Sequence, residues 1–480
     1  MNADTLPLRR LLLALLALLS IWTTADNLER PLANPDEGRY SEIAREMAVG
    51  GDWITPRLNG LKYFEKPPLQ YWATAVSFRL FGANEYAARI YIALAGLVTM
   101  LAVAGTAGRL AGFNAGVFAF LALMASPYFI ALAGIVTLDM GLTLWLTLAV
   151  CAFLLSQAAP EASSPRRRWL LAAWAAMALA ALSKGLIGLA FPAATLILYC
   201  AVERDFRMLA RLEWIRGPLL FLAIAAPWHI AVSLANPEFA YFYFIHEHVL
   251  RFLTTEHRRV AGWWYFLPIL FGGFVPWTLL LLPACASGWR DAGLANGFRP
   301  ARFALLWSAF ILVFFSASGS KLPAYILPIF PALGLVLGMY LARTPAPRIA
   351  PWILPIAPLA LAGGWAAWKA PESIGDAWTW TMYNKASVQI TAGALLECAG
   401  VVLAWLMLRR DRKWTGVIVL AAATTLLTST IEDGYHAVSP RQSAMEVAAK
   451  ARPLLKPDTR FYSVKHYEQT LPFYLGRTVT

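Results

Sequence analysis

The chain has 480 residues, of which 59% are hydrophobic and only 14% charged, and its mean hydropathy is +0.55. A soluble protein of this length has too little polar surface to cover that much apolar area, so the composition implies an integral membrane protein. The net charge of +13, from 41 basic and 28 acidic residues, does not read as nucleic-acid binding, because most arginines sit in short loops between apolar runs, where membrane orientation explains them.

The apolar runs are about 17 to 25 residues long, which suits membrane-crossing helices rather than a barrel. Arg9 and Arg10 precede LLLALLALLSIW, and the following TTADNLER lacks a small-x-small cleavage site, so this run is read as a retained first span rather than a secretory signal. Counted from there, about thirteen spans can be drawn: 11–23, 88–108, 115–132, 138–155, 169–182, 186–202, 219–235, 264–286, 303–317, 322–341, 353–368, 388–408 and 417–430. Arginine stands at every end this count places inside, including Arg166 to Arg168, Arg204 to Arg216, and Arg409 with Arg410. The N-terminus is therefore expected in the cytoplasm and the C-terminus on the outer side. The four cysteines, Cys151, Cys200, Cys285 and Cys398, fall in apolar runs and imply neither disulfides nor a metal knuckle.

The expected organisation is an all-α bundle over 1–430, with outer loops at 24–87 and 236–263, and a short outer segment at 431–480. In that last segment, an apolar-periodic helix over 443–455 and strand-like RFYSVK and FYLGR suggest a small α/β unit. It is short for a domain that folds alone. No strong internal repeat is visible, which weighs against a transporter built from inverted halves.

The first outer loop concentrates the polar chemistry. Over 40–51, Ile43 and Met47 share one helical face while Glu42, Arg45 and Glu46 point elsewhere, and Gly50 with Gly51 ends the helix. Such a helix is expected along the membrane surface. After Lys66, Pro67 and Pro68 turn the chain, PLQYWATAVSFRLFG supplies a second interfacial segment, with Tyr71 and Trp72 as belt aromatics.

Asp36 and Glu37 sit between Pro35 and Gly38, a turn that projects a carboxylate toward the membrane surface. Asp36 is either an Asx cap for the next helix or a base that activates an acceptor, and Glu37 and Arg39 are candidates for acceptor contact or loop support. Lys66, Lys184, Arg251 and Lys321 all stand at outward ends, against the positive-inside trend. Together they point to an anionic ligand, most simply a phosphate, with lipid anchoring as the alternative. Asp139 opens a span on the same side and is as consistent with a structural ion pair as with catalysis. His246, Glu247 and His248 form a weak metal signal, in which a histidine with Glu65 could hold a divalent ion. Glu397 lies deep in a span and has no role from sequence.

The stretches NPDEGRYSEIAREM, GDWITPRLNGLKYFEKPPLQYW, TLDM, SKG, EHVLRF and KLPAYILPIFP, in this order, resemble the bacterial aminoarabinose transferases of the GT-C class, the lipid A modifying relatives of protein O-mannosyltransferases. The resemblance runs from Leu11 to about Ala342. It implies a GT-C bundle in the bacterial inner membrane that takes sugar from a polyprenyl phosphate and passes it, with inversion, to a lipid acceptor such as lipid A on the periplasmic side. By match of motif, Asp36 is similar to the catalytic aspartate and Lys66 to the lysine near the donor phosphate. Glu65 and His248 match positions associated with a divalent ion, and Asp139, Lys184 and Tyr325 match further cavity residues. The family usually carries a larger periplasmic C-terminal domain, so acceptor choice stays open between lipid A, protein hydroxyls and another glycan. A lipid-linked sugar transporter is the rival class.

Overall fold

The computed structural model describes residues 13–14, 28–250, 261–456, 459–463 and 467–479, with the backbone alone at 248–250. The chain enters the first outer loop through helix α1 (Asp36–Gly50), whose first turn carries Asp36 and Glu37 at the positive end of the helix dipole. Gly51 ends it in the left-handed region (φ 72°), with its N–H on the Met47 carbonyl. Two short antiparallel strands follow, β1 (Arg57–Leu58) and β2 (Leu61–Lys62). Asn59 and Gly60 join them with φ of 54° and 77°, the two left-handed residues that a tight hairpin requires. Helix α2 (Leu69–Phe81) starts directly after Pro67 and Pro68.

The bundle begins with α3 (Glu85–Ala111), capped by the Asn84 side chain on the Ala87 N–H. Helices α4 (Phe113–Met124) and α5 (Pro127–Ala133) meet at a 71° bend, where Pro127 removes a backbone donor. Next come α6 (Leu138–Ala158), α7 (Ser164–Lys184), α8 (Ile187–Glu203) and α9 (Arg216–Ala235). A π-helix over Tyr241–Leu250 forms the second outer loop. Helix α10 (Phe266–Gly273) and the Thr278–Arg290 stretch containing α11 (Leu281–Arg290) form a second broken pair, bent by 108°. The remaining bundle helices are α12 (Pro300–Ala317), α13 (Ile329–Arg343), α14 (Ala346–Ile353), α15 (Ile356–Lys369), α16 (Ala377–Arg409) and α17 (Lys413–Val438). Helix α6 is the central one, with 78% of its apolar window buried inside the protein, against 17% for α9.

Each span drawn from the sequence after the first coincides with a helix; the first, 11–23, lies outside the described residues except at Leu13 and Ala14. By length and composition, the described residues hold 7 helices able to cross a membrane, or up to 9 if each bent pair is one span. The larger count from sequence includes α8 and α13, which are shorter apolar helices, and α7, whose first turns carry Arg166 to Arg168.

The C-terminal segment departs from the α/β expectation. Its described residues form α18 (Met445–Ala451) and α19 (Leu471–Leu475) and no strand. The stretch read as FYLGR is mostly α19, started by Pro472 and stopped by Gly476 at φ 69°. All five α19 residues are buried, so no alternation of inside and outside survives to favour a strand.

This segment packs on α1 and α2 in one apolar cluster that joins Ile43, Met47, Tyr71 and Phe78 to Leu471, Phe473 and Leu475. Polar contacts fasten it. Asn59 and Val479 exchange two hydrogen bonds of 2.6 Å, the Tyr474 hydroxyl accepts from the Leu32 N–H at 2.8 Å, and the Asn34 N–H donates to the Gln442 carbonyl at 2.7 Å. Gly38 permits the approach, since a Cβ there would lie 2.6 Å from the Gln469 and Thr470 backbone. Helix α1 is thus packed against protein on two sides, by α2 and by the C-terminal segment.

The covering explains Glu42, whose place away from Ile43 and Met47 suggested solvent, yet which is fully buried. Arg45 grips its carboxylate with two bonds of 2.7 Å, and Tyr467 of the C-terminal segment stands within its electrostatic reach. Burial pushes the Glu42 carboxyl up to about 7, outweighing the downward pull of Arg45. With its folded value raised above the ordinary 4.5, its contribution to docking is full below that value and fades as pH rises through about 7. The protection factors of the Leu471 and Phe473–Leu475 amides, which discount the base-catalysed rise of the intrinsic rate, are therefore expected to fall between pH 5 and 8 in the wild type, by about tenfold or more, and to stay level in Glu42→Gln.

Candidate active site

Glu37, next to Asp36, is the anchor of the loop. Its carboxylate accepts from Arg30 at 2.7 and 3.1 Å, from Arg89 at 3.1 and 3.0 Å, and from the Ala33 and Val136 N–H groups at 2.9 Å each. All three side chains are at most 2% exposed. Arg30 also donates to the Gly134 carbonyl, and Arg89 to the carbonyls of Leu28 and Arg30. The entry to the loop, α3 and the turn between α5 and α6 thereby meet at one carboxylate. Burial alone would raise its pKa, but Arg89 and Arg30 together hold it down at about 2.

With Glu37 turned inward, Asp36 stays partly open, at 38% exposure, with Arg39 at 3.6 Å. Pro35 is the N-cap and no side chain caps the helix, so the Asx-cap alternative for Asp36 is not what the structure holds. Tyr63, Tyr40, Asp36 and Glu65 all act on Arg39 and outweigh the desolvation that opposes its charge. Tyr71, expected as a belt aromatic, is instead fully buried, with its ring 6.0 Å from that of Tyr40 and its hydroxyl without a partner among the described residues. The bond that Trp72 donates to the Trp53 carbonyl ties α2 to the loop.

Lys66 donates to its neighbour's carbonyl, that of Glu65, at 2.8 Å and to Glu247 of the π-helix at 3.2 Å. Lys62 does the same at the rim with Glu238, at 2.6 Å. The second outer loop is thus latched to the first by two lysine–carboxylate pairs.

The other half comes from the bundle. Asp139, in the first turn of α6, forms an ion pair with Lys184, the last residue of α7, and Lys184 lies over the Tyr325 ring at 4.8 Å. Asp36 reaches Lys184 electrostatically, and Asp139 reaches Tyr40. Asp36, Arg39, Glu65, Asp139, Lys184 and Tyr325 therefore form one cluster, with Lys66 on its flank. Lys321 is not joined to it by any ion pair among the described residues; its ammonium bonds the Ser318 carbonyl at 2.6 Å in its own loop. Arg251 and the His248 side chain lie outside the described residues.

Among the described residues no group of three or more His, Cys, Asp and Glu side chains gathers to hold a metal, and Glu65 stands in the field of Arg39 and Tyr63. The proposed divalent-ion pair of Glu65 with His248 falls partly outside the described residues, because the His248 side chain is not among them. Tyr40, Tyr63 and Tyr71 join the cluster without having been singled out as site residues, and Glu247, noted only within a metal signal, joins it as the partner of Lys66. The one sequence signal for the tyrosines was their density around the YFEKPP stretch.

Glu37→Ala leaves two buried guanidiniums facing no carboxylate. A loss of about 3–5 kcal/mol is expected, read as a lowered thermal midpoint in detergent, with Glu37→Asp intermediate. The anchor's contribution is full above the ordinary carboxyl value and fades only as pH falls toward about 2.

A family model described as dolichyl-phosphate-mannose-protein mannosyltransferase matches residues 8–285, and one described as aminoarabinose transferase C-terminal domain matches 447–480. The undecaprenyl phosphate-alpha-4-amino-4-deoxy-L-arabinose arabinosyl transferase of Edwardsiella ictaluri is 35% identical over 319 residues, 65% of this chain and 56% of that protein. The protein of the same name from Aeromonas salmonicida is 36% identical over 64% of this chain and 56% of its own length. The chain thus spans little more than half the length of these relatives. The crystal structure of ArnT from Cupriavidus metallidurans bound to undecaprenyl phosphate superposes with a TM-score of 0.91 at 36% identity, covering 98% of this chain and 85% of that one. The archaeal oligosaccharyltransferase AglB from Archaeoglobus fulgidus, at 13% identity and a TM-score of 0.57, shares the fold alone. The GT-C bundle expected from sequence is the fold present, and the chain belongs to the dolichyl-phosphate-mannose-protein mannosyltransferase family, within its aminoarabinose transferase group.

Proposed function

We propose that this multi-pass membrane protein transfers an aminoarabinose-like sugar from undecaprenyl phosphate to a lipid acceptor such as lipid A, on the periplasmic side. The observation that carries it is the cluster itself. A half-exposed carboxylate, Asp36, faces Lys184 at the outer ends of α6 and α7, beside Lys66, in a chain 36% identical to a protein crystallised with undecaprenyl phosphate. In this reading residues 1–430 carry the reaction, loops 24–87 and 236–263 build the site, and 431–480 cover it. The N-terminus is cytoplasmic and the C-terminus periplasmic.

The acceptor oxygen bonds to the anomeric carbon from the face opposite the phosphate, as the bond from that carbon to the phosphate oxygen breaks. Undecaprenyl phosphate leaves with the electron pair, and the sugar inverts. Positive charge builds on the sugar ring as in glycoside hydrolysis. A phosphate leaves without a general acid, and Lys66 and Lys184 stabilise the charge it carries away. Arg251 and Lys321 are the outer members of the same basic set. Tyr325 steadies the Lys184 ammonium with its ring face, and Asp139 holds it by charge. Asp36 takes the proton of a hydroxyl acceptor. A lipid A phosphate, with a second pKa of about 6, is already ionised near neutral pH and needs Asp36 for orientation only.

With purified protein and labelled undecaprenyl-phosphate sugar, Asp36→Asn is expected to slow transfer to a hydroxyl acceptor by about 10²- to 10⁴-fold. Transfer to a phosphate acceptor should slow less. Unchanged rates with both acceptors, or transport of the intact donor without product, remove the proposal. Lys184→Met should weaken donor binding and also strand Asp139. The double variant with Asp139→Asn is expected to recover thermal stability without recovering transfer, which separates the ion pair's structural part from its part in binding.

A further inference from the structure

Helices α6 and α7 hold Asp139 and Lys184 at one end of the bundle. Each is 21 residues long, so their other ends lie about 30 Å away, the thickness of a bilayer's hydrocarbon core. There, the loop from α6 to α7 and the loop from α8 to α9 frame a polar cavity of about 790 Å³. Arg166, Arg167, Arg211 and Arg216 line it, against Glu161 and Glu213.

The charges do not balance. Glu213 is shared by Arg167 at 3.4 Å and Arg216 at 3.3 Å, and Glu161 is taken by Arg211. Arg166 remains. It is 7% exposed, its guanidinium gives one long bond of 3.4 Å to the Gln157 amide oxygen, and no carboxylate among the described residues forms an ion pair with it. Glu161, already paired with Arg211, attracts it from a distance, and Arg211 repels it. A guanidinium taken out of water with no ion pair of its own is costly, and a forked donor of this kind matches a phosphate. The walls are rigid, because the Trp174 indole donates to the Leu212 carbonyl and packs where a Cβ on Gly217 would stand.

The surroundings select the source of the phosphate. Trp214 and Ile215 on the cavity wall are 56% and 78% exposed, and the outward face of α9 continues with Leu219 and Leu222 at 63% and 55%. An aromatic and an apolar strip at a helix end are what a headgroup and its acyl chain meet. We propose that this arginine-lined cavity binds the headgroup phosphate of an anionic membrane phospholipid, with an acyl chain along α9. It is a site separate from the transfer cluster, and its occupancy does not depend on the transfer reaction.

The full chain in detergent, titrated with phosphatidylglycerol or phosphatidylcholine of identical acyl chains and read by native mass spectrometry, tests this. Retention of phosphatidylglycerol is expected to exceed that of phosphatidylcholine by about tenfold. Arg166→Gln should bring the two close together, and the more exposed Arg216→Gln should give a partial loss if the first variant folds poorly. Arg348→Gln, an exposed arginine at the start of α14 outside the cavity, should change nothing. Equal retention of both lipids, no effect of either cavity variant, or an equal effect of Arg348→Gln overturns the site. Displacement of the lipid by millimolar glycerol phosphate as readily as by more lipid makes a soluble phosphate ester the ligand and overturns the membrane assignment.

Discussion

Two buried guanidiniums closing on one carboxylate set the geometry of the outer face. Arg30 and Arg89 would each be costly inside the protein alone, and so would Glu37. Together with two backbone N–H groups they satisfy one another, and the loop that carries Asp36 becomes as fixed as the helices it joins. The residue just before Glu37 has no freedom to turn inward. Asp36 faces Arg39 and Lys184 because Glu37 has already chosen the opposite side of α1.

Much of the bundle was legible because the membrane imposes a length on each apolar run and a sign on each loop. The helices fall where those runs lie, and α1 and α2 fall where glycine and proline punctuate the first loop. The failures share one physical cause. A helical wheel registers one buried face, and Glu42 and Tyr71 are buried by a second covering that arrives from residues more than 390 positions later. The same packing, met from the other side by α1 and α2, buries all of α19, erasing the contrast between inside and outside on which a reading of strand against helix depends. The hairpin at Asn59 and Gly60 carries a local mark, the Asn-Gly pair that suits two left-handed residues.

Of the cations that stand against the positive-inside trend, Lys66 and Lys184 meet carboxylates far off in the chain, whereas the ammonium of Lys321 bonds a carbonyl three residues back. Local hydrogen bonding of that kind leaves no trace in composition. The buried phenols around Arg39 are likewise visible only once α1, the hairpin and α2 are brought together.

Every cation described in the cluster already has a carboxylate: Arg39 has Asp36, Lys184 has Asp139, and Lys66 has Glu247. On the proposed reading, an arriving phosphate does not settle on bare charge. It exchanges with a resident counter-ion, so the net electrostatic change on loading is small and the ligand can leave as readily as it came. An acid relieved of its cation is a stronger base. Loading the donor phosphate on Lys184, whose charge also reaches Asp36, would therefore sharpen Asp36 at the moment an acceptor proton has to be removed, and keep it mild while the site waits.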